Sequence, residues 1–169
     1  MPDIQQVELA GERYFKLTNS DEMRPFFMSI VSDGNHWMFI SSNGGLSAGR
    51  KNAEYSLFPY YTDDKITESA ETTGSKTIFR INTAKGSEIW EPFSVRYQDR
   101  FQLSRNLYKS IYGNKILFEE INHDLQLSFR YQWNSSNRYG FARKSRLVNL
   151  GDKVVSLSLI DGLQNIVPY

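Results

Sequence analysis

The chain has 169 residues, 20 Lys and Arg against 19 Asp and Glu, and no cysteine. The length suits one domain, and a net charge of +1 supplies no general field for nucleic acid or anionic lipid. The lack of Cys excludes disulfides, thiol nucleophiles and Cys-based zinc sites, and two His leave no His-rich metal centre.

The N-terminus, Met-Pro-Asp-Ile-Gln-Gln, has no basic segment followed by an apolar one. Cytoplasmic location is the expectation, with the periplasm left open. No apolar run approaches the roughly 20 residues of a membrane helix. With aromatics at 14%, the chain carries enough apolar surface to fold rather than stay disordered.

Hydrophobic alternation runs nearly the length of the chain. Phe15 and Leu17 alternate with Tyr14, Lys16 and Thr18. Residues 26–31 and 36–40 are apolar on both faces and flank Asp33-Gly34-Asn35, which predicts a hairpin in the middle of a sheet. Next comes a Gly-rich stretch, 41–52, with Gly44, Gly45 and Gly49 among small polar residues. A phosphate-binding loop needs a helix to follow and a Walker loop needs Gly-Lys-Ser/Thr; neither pattern is present. The stretch reads as a long Gly-permitted connection between strands.

Residues 57–66 then place Phe58, Tyr60 and Tyr61 beside Asp63 and Asp64. Rings that stack on a pyranose and acids that accept from hydroxyls are the materials of a carbohydrate site. The competing reading puts Phe58 and Tyr60 in the core and makes Asp63 the cap of one short helical turn within 63–72. Phe79 and Ile81 alternate with Lys76, Arg80 and Asn82. Trp90, between acids and Pro92, is expected at the surface as a stacking or domain-contact residue; Trp37 and Trp133 fall in apolar strand patterns.

Residues 101–112 fit helix or strand and are taken as strand. From there the segments 115–121, 125–133, 139–149 and 153–160 read as a four-strand meander. In 125–133, Leu125, Leu127, Phe129, Tyr131 and Trp133 share one face. Turn signals about ten residues apart are the rhythm of an antiparallel sandwich. Adjacent Glu119 and Glu120 point to opposite faces of a strand and do not form a hydrolytic pair. His36 and His123 read as structural, and no Gly-x-Ser-x-Gly elbow is present. Asn134-Ser135-Ser136 matches a glycosylation sequon, which means little without a secretory signal. Residues 134–149 carry a local excess of positive charge and residues 54–72 a local excess of negative charge. These read as solvated faces or as a complementary pair. The apolar, Pro-containing end Ile166-Val167-Pro168-Tyr169 predicts a longer parent chain.

Two stretches together resemble a known family. One is Ser42-Asn43-Gly44-Gly45-Leu46-Ser47-Ala48-Gly49-Arg50, followed by Leu57-Phe58-Pro59-Tyr60 and Asp63-Asp64-Lys65-Ile66. The other runs from Phe141 through Asn149-Leu150-Gly151-Asp152 to Asp161-Gly162-Leu163-Gln164-Asn165 and the C-terminus. They resemble the N-terminal β-sandwich domain of large bacterial carbohydrate-active proteins related to cellobiose phosphorylase and cyclic glucan phosphorylase. The resemblance implies a supersandwich similar to galactose mutarotase, and a downstream helical barrel that carries the catalytic acid. The two histidines and glutamate of ring-opening enzymes of that fold find no match here.

The expectation is therefore an all-β antiparallel sandwich, supersandwich-like, with at most one or two short helices. It binds sugar without catalysis, packs on a C-terminal helical catalytic domain and completes one wall of its cleft. The carbohydrate-binding candidates are Asn43, Arg50, Tyr60, Tyr61, Asp63, Asp64 and Trp90. No cofactor, metal, nucleic acid or membrane partner is expected, and self-association through sheet edges is left open. A stand-alone aldose epimerase-like enzyme and a ligand-free scaffold are the alternatives.

Overall fold

The computed structural model describes residues 1–84 and 86–167. Pro168 and Tyr169, the last residues of the apolar end, lie outside the described residues, as does the side chain of Asp63. Twelve strands are present: β1 (Asp3–Leu9), β2 (Glu12–Thr18), β3 (Phe27–Ile30), β4 (His36–Ser41), β5 (Leu46–Arg50), β6 (Gly74–Thr83), β7 (Gly86–Trp90), β8 (Leu103–Ser110), β9 (Lys115–Asn122), β10 (Leu127–Ser136), β11 (Gly140–Asn149) and β12 (Ser156–Gln164). One α-helix, α1 (Asp63–Glu68), lies between β5 and β6. Three short 3-10 turns complete the described elements. None of these helices is long and apolar enough to cross a membrane.

All strand pairs are antiparallel. One layer is a six-stranded sheet in the order β1-β2-β8-β9-β10-β11. The facing layer is split into two three-stranded sheets, β3-β4-β5 and β12-β6-β7. Alternation explains how one core serves all three. Met28, Ile30, Met38, Ile40, Leu46 and Ala48 point inward from the first small sheet, and Phe79, Ile81 and Trp90 from the second. Leu107, Ile116, Phe118, Leu127, Phe129, Tyr131 and Trp133 meet them from the large sheet. The molecule is thus the all-β sandwich that the period-two pattern predicts.

The hairpin around Asp33-Gly34-Asn35 forms, with Phe27 opposite Ser41 and Ile30 opposite Met38. Residues 101–112 contain a strand, β8. Three expectations need correction. The Gly-rich stretch is not a loose connection: only residues 42–45 turn, and Leu46–Arg50 is a strand whose first four residues are buried. Asp63 is not a helix cap; Thr62 occupies the N-cap position and Asp63 opens the helix. The meander is also broken. β9, β10 and β11 follow one another, but β12 leaves that sheet and pairs with β6, Asp161 opposite Thr77. Period two tells which residues share a face, not which strand lies alongside.

Arg143 fastens this crossover. It lies on β11, with its side chain only 10% exposed, and donates to both oxygens of Asp161 on β12 at 2.8 and 2.9 Å. It also donates to Ser75 Oγ on β6 at 2.7 Å. A planar guanidinium held by a carboxylate in this forked way is a strong, directional link. It ties the edge of the large sheet to the β12-β6-β7 sheet. Within the basic segment, Arg143 thus finds its acid in Asp161, not in residues 54–72.

Candidate functional site

The candidate residues separate in space. Trp90 is fully buried in the core, stacked on Phe79 at 5.2 Å, and its indole N–H donates to Glu120 at 2.7 Å. From there it contacts no sugar: Trp90 is a core residue, not a surface one. Its neighbours Glu91 and Pro92 gave a surface signal. They are themselves buried, and the carboxylate that satisfies the indole comes from a distant strand. Asn43 is exposed but structurally committed. Its side-chain oxygen accepts from Ser41 Oγ, and its amide donates to the Thr67 carbonyl at 2.9 Å. Asn43 thereby ties the β4–β5 turn to α1. Gly45 permits the same approach: a Cβ there would lie 2.1 Å from the Ile66 carbonyl oxygen.

Tyr60 is different. Successive residues of β4 alternate, so with Met38 and Ile40 inward, Trp37 and Phe39 face outward. On β3, Phe27 faces out beside Met28. The outward rings form a continuous run across the β3-β4-β5 sheet. Phe27 and Phe39 are 5.3 Å apart, Phe39 and Trp37 5.6 Å, and Trp37 and Tyr60 5.7 Å between centroids. The first three tilt by only 33° from ring to ring, making an apolar shelf; Tyr60 stands nearly perpendicular and closes its end. Phe27 is 45% and Tyr60 57% exposed. Gly49, opposite Trp37 on β5, makes room for the indole: a Cβ there would sit 2.6 Å from the Trp37 ring.

Polar groups follow Tyr60 along the chain. Tyr61 is half-buried. Asp64 is exposed in the first turn of α1. A 2.6 Å hydrogen bond from Thr62 holds its carboxyl below the usual aspartate range, so it is an acceptor at neutral pH. Arg50 ends β5 on the other side of the same sheet. It lines a cavity of about 520 Å3 with His36, Met38, Phe58 and Trp133. The sequence reading picked Tyr60 and Asp64 but missed Phe27, Trp37 and Phe39. Phe27, Trp37 and Phe39 lie in strands apolar on both faces, a pattern that reads as the middle of a sheet.

The two histidines do not meet. His36 Nε2 lies 3.3 Å from Ser135 Oγ, beside the strand end where Ser135 bonds Asn114. His123 follows the other end of β9 and contacts Ser104 at 2.8 Å. The seven residue steps of β9 separate those ends by about 23 Å. The two glutamates diverge as a strand requires. Glu120 faces the core, receiving Trp90, Phe93 and Arg105. Glu119 faces outward, receiving Tyr108, Asn106 and Arg130. Burial raises the Glu119 carboxyl, but hydrogen bonds from Tyr108 and Asn106 and the Arg130 charge outweigh it, and its pKa is lowered. Among the described residues no three His, Asp or Glu side chains are grouped to hold a metal ion. The chain matches no protein-family model, and no curated protein is similar to it at a significant level.

Proposed function

We propose that this chain is a non-catalytic, carbohydrate-binding β-sandwich module of a larger glycan-processing protein. The aromatic shelf on the outer face of the β3-β4-β5 sheet carries the reading. Stacked sugar rings present apolar C–H faces, and a row of half-exposed aromatic rings is the complementary surface. Asp64, on the segment that follows Tyr60, supplies acceptors for hydroxyls. The module docks on a helical catalytic barrel and forms one wall of its cleft. Support for docking comes from β12, an edge strand with Leu159 54% and Ile160 72% exposed. Apolar side chains on an open edge are the usual mark of a surface meant to be covered.

Titration with gluco-, manno- and galacto-oligosaccharides, followed by tryptophan emission and calorimetry, tests the reading. Trp90 is fully buried and Trp133 lines a separate cavity, so loss of the response in Trp37→Phe assigns it to Trp37. Binding by one series should weaken at least about fivefold in Tyr60→Ala and in Trp37→Ala. No response across all three series removes the proposal. Optical rotation of a fresh α-aldose solution checks the non-catalytic half: acceleration by the chain, lost in His36→Ala, would overturn it. Slower amide exchange over residues 156–164 in the natural protein than in the isolated chain is the expected result for docking.

A further inference from the structure

The cavity at Arg50 lies on the opposite side of the β3-β4-β5 sheet from the aromatic shelf, and the sugar reading does not use it. We propose that it binds a small organic monoanion: an apolar body with one carboxylate or sulfonate head. Two observations carry this. The first is shape and lining. About 520 Å3 lies between the β4–β5 sheet edge, the β10–β11 hairpin, Leu163 of β12 and Ile166. That is within the range of small-molecule sites. Its apolar part is built from Met38, Phe58, Trp133, Phe141, Leu163 and Ile166.

The second observation is charge. Arg50 and Arg138 line the cavity together with His36, and no Asp or Glu does. Neither arginine has a salt-bridge partner among the described residues; Arg138 rests on the ring of Tyr139 at 5.2 Å. Two unneutralised guanidiniums beside an apolar floor favour an anion and penalise a cation. A fully polar anion gains nothing from the floor, and a neutral hydrocarbon gains nothing from the arginines.

Asn35 and Asn137 at the same cavity add hydrogen-bonding groups. Trp133 lines the cavity at 3% exposure, so its indole signal reports on what enters there. The formal charges at the lining are those of the two arginines, so the head group is an acceptor with negative charge.

The test uses octanoate as the anion and octanol as its neutral twin, with 15N-labelled protein. The indole N–H signal of Trp133 is assigned by its loss in Trp133→Phe. Octanoate should shift that signal saturably with one site per chain, leaving the Trp90 signal in place. Octanol should bind at least tenfold more weakly. Arg50→Gln with Arg138→Gln, both exposed side chains, should weaken octanoate at least tenfold while the thermal midpoint stays unchanged. Leu163→Trp, which fills the cavity from β12, should abolish the shift without touching either arginine. Equal binding of octanol and octanoate overturns the proposal. So does an octanoate affinity indifferent to the paired arginine substitution, or a Trp133 signal that never moves. Sugar binding at Trp37 is read separately, so either reading can fail alone.

Discussion

Replacing Glu120 by alanine should cost about 4 kcal/mol of folding stability. The carboxylate is fully buried on β9. It receives the Trp90 indole N–H, the Phe93 backbone N–H and Arg105 Nε, each at 2.7 Å. Arg105 is itself 12% exposed and also donates from Nη2 to the Ser94 carbonyl at 3.1 Å. Truncation leaves a buried cation and two buried N–H groups without an acceptor. Breaking one side of a buried ion pair typically costs 3–5 kcal/mol, and an orphaned buried donor about 1–3. These contributions overlap, so their full sum is not expected. For a chain of this length, about 4 kcal/mol lowers the thermal midpoint by roughly 8–16 °C. Urea denaturation and calorimetry on wild type, Glu120→Ala and Glu120→Gln measure it. The glutamine keeps one acceptor and most of the volume and should fall between. Glu88→Gln is the comparison, because the Glu88–Arg100 pair is solvent-exposed and such pairs are worth below about 1 kcal/mol. A Glu120→Ala loss no larger than that of Glu88→Gln would refute the view that this network pins β7 and residues 91–98 to the large sheet.

Acid should destabilise the fold. Glu119 and Asp161 both have lowered pKa values; at Asp161, burial pushes up but Arg143 and Thr77 outweigh it. A group depressed in the folded state gives stability that is complete above its unfolded value, about 4, and lost as pH falls through the folded one. Urea midpoints should hold from pH 7 to about 5 and drop by pH 3.5; a midpoint that rises on acidification contradicts the assignment. Gly45→Ala should cost about 1–3 kcal/mol, because the new methyl meets the Ile66 carbonyl of α1; unchanged stability would mean that α1 does not pack on the turn as described. Arg143→Met should cost about 2 kcal/mol and raise amide exchange in residues 156–164 more than in β9. Equal exchange in both would place the link elsewhere.

The strands were legible because burial on one face writes itself into the chain every second residue. Leu127, Phe129, Tyr131 and Trp133 are the plainest instance, all buried on the core side of β10. The partner of β12 was not legible, since Leu157 and Leu159 alternate identically whether the neighbour is β11 or β6. Arg143 and Asp161 accompany the β6 choice, a contact between residues on different sheets that alternation does not encode. The aromatic shelf was half legible: Tyr60 and Asp64 stood out by type, whereas Trp37 and Phe39 lay in a strand apolar on both sides. Trp90 failed for a physical reason. A tryptophan among acids and proline looks wet until Glu120, on another sheet, is brought against its indole.

The pairing of β12 with β6 also sets an order of events during synthesis. Until residues 156–164 leave the ribosome, β6 has β7 on one side and an open ladder on the other. Thr77 waits for Asp161 while most of the chain is made. Long-range closure of this kind slows folding and leaves a bare strand edge exposed in the nascent state. A chain stopped short of residue 156 should therefore show β6 as an unpaired edge, prone to pair with other chains.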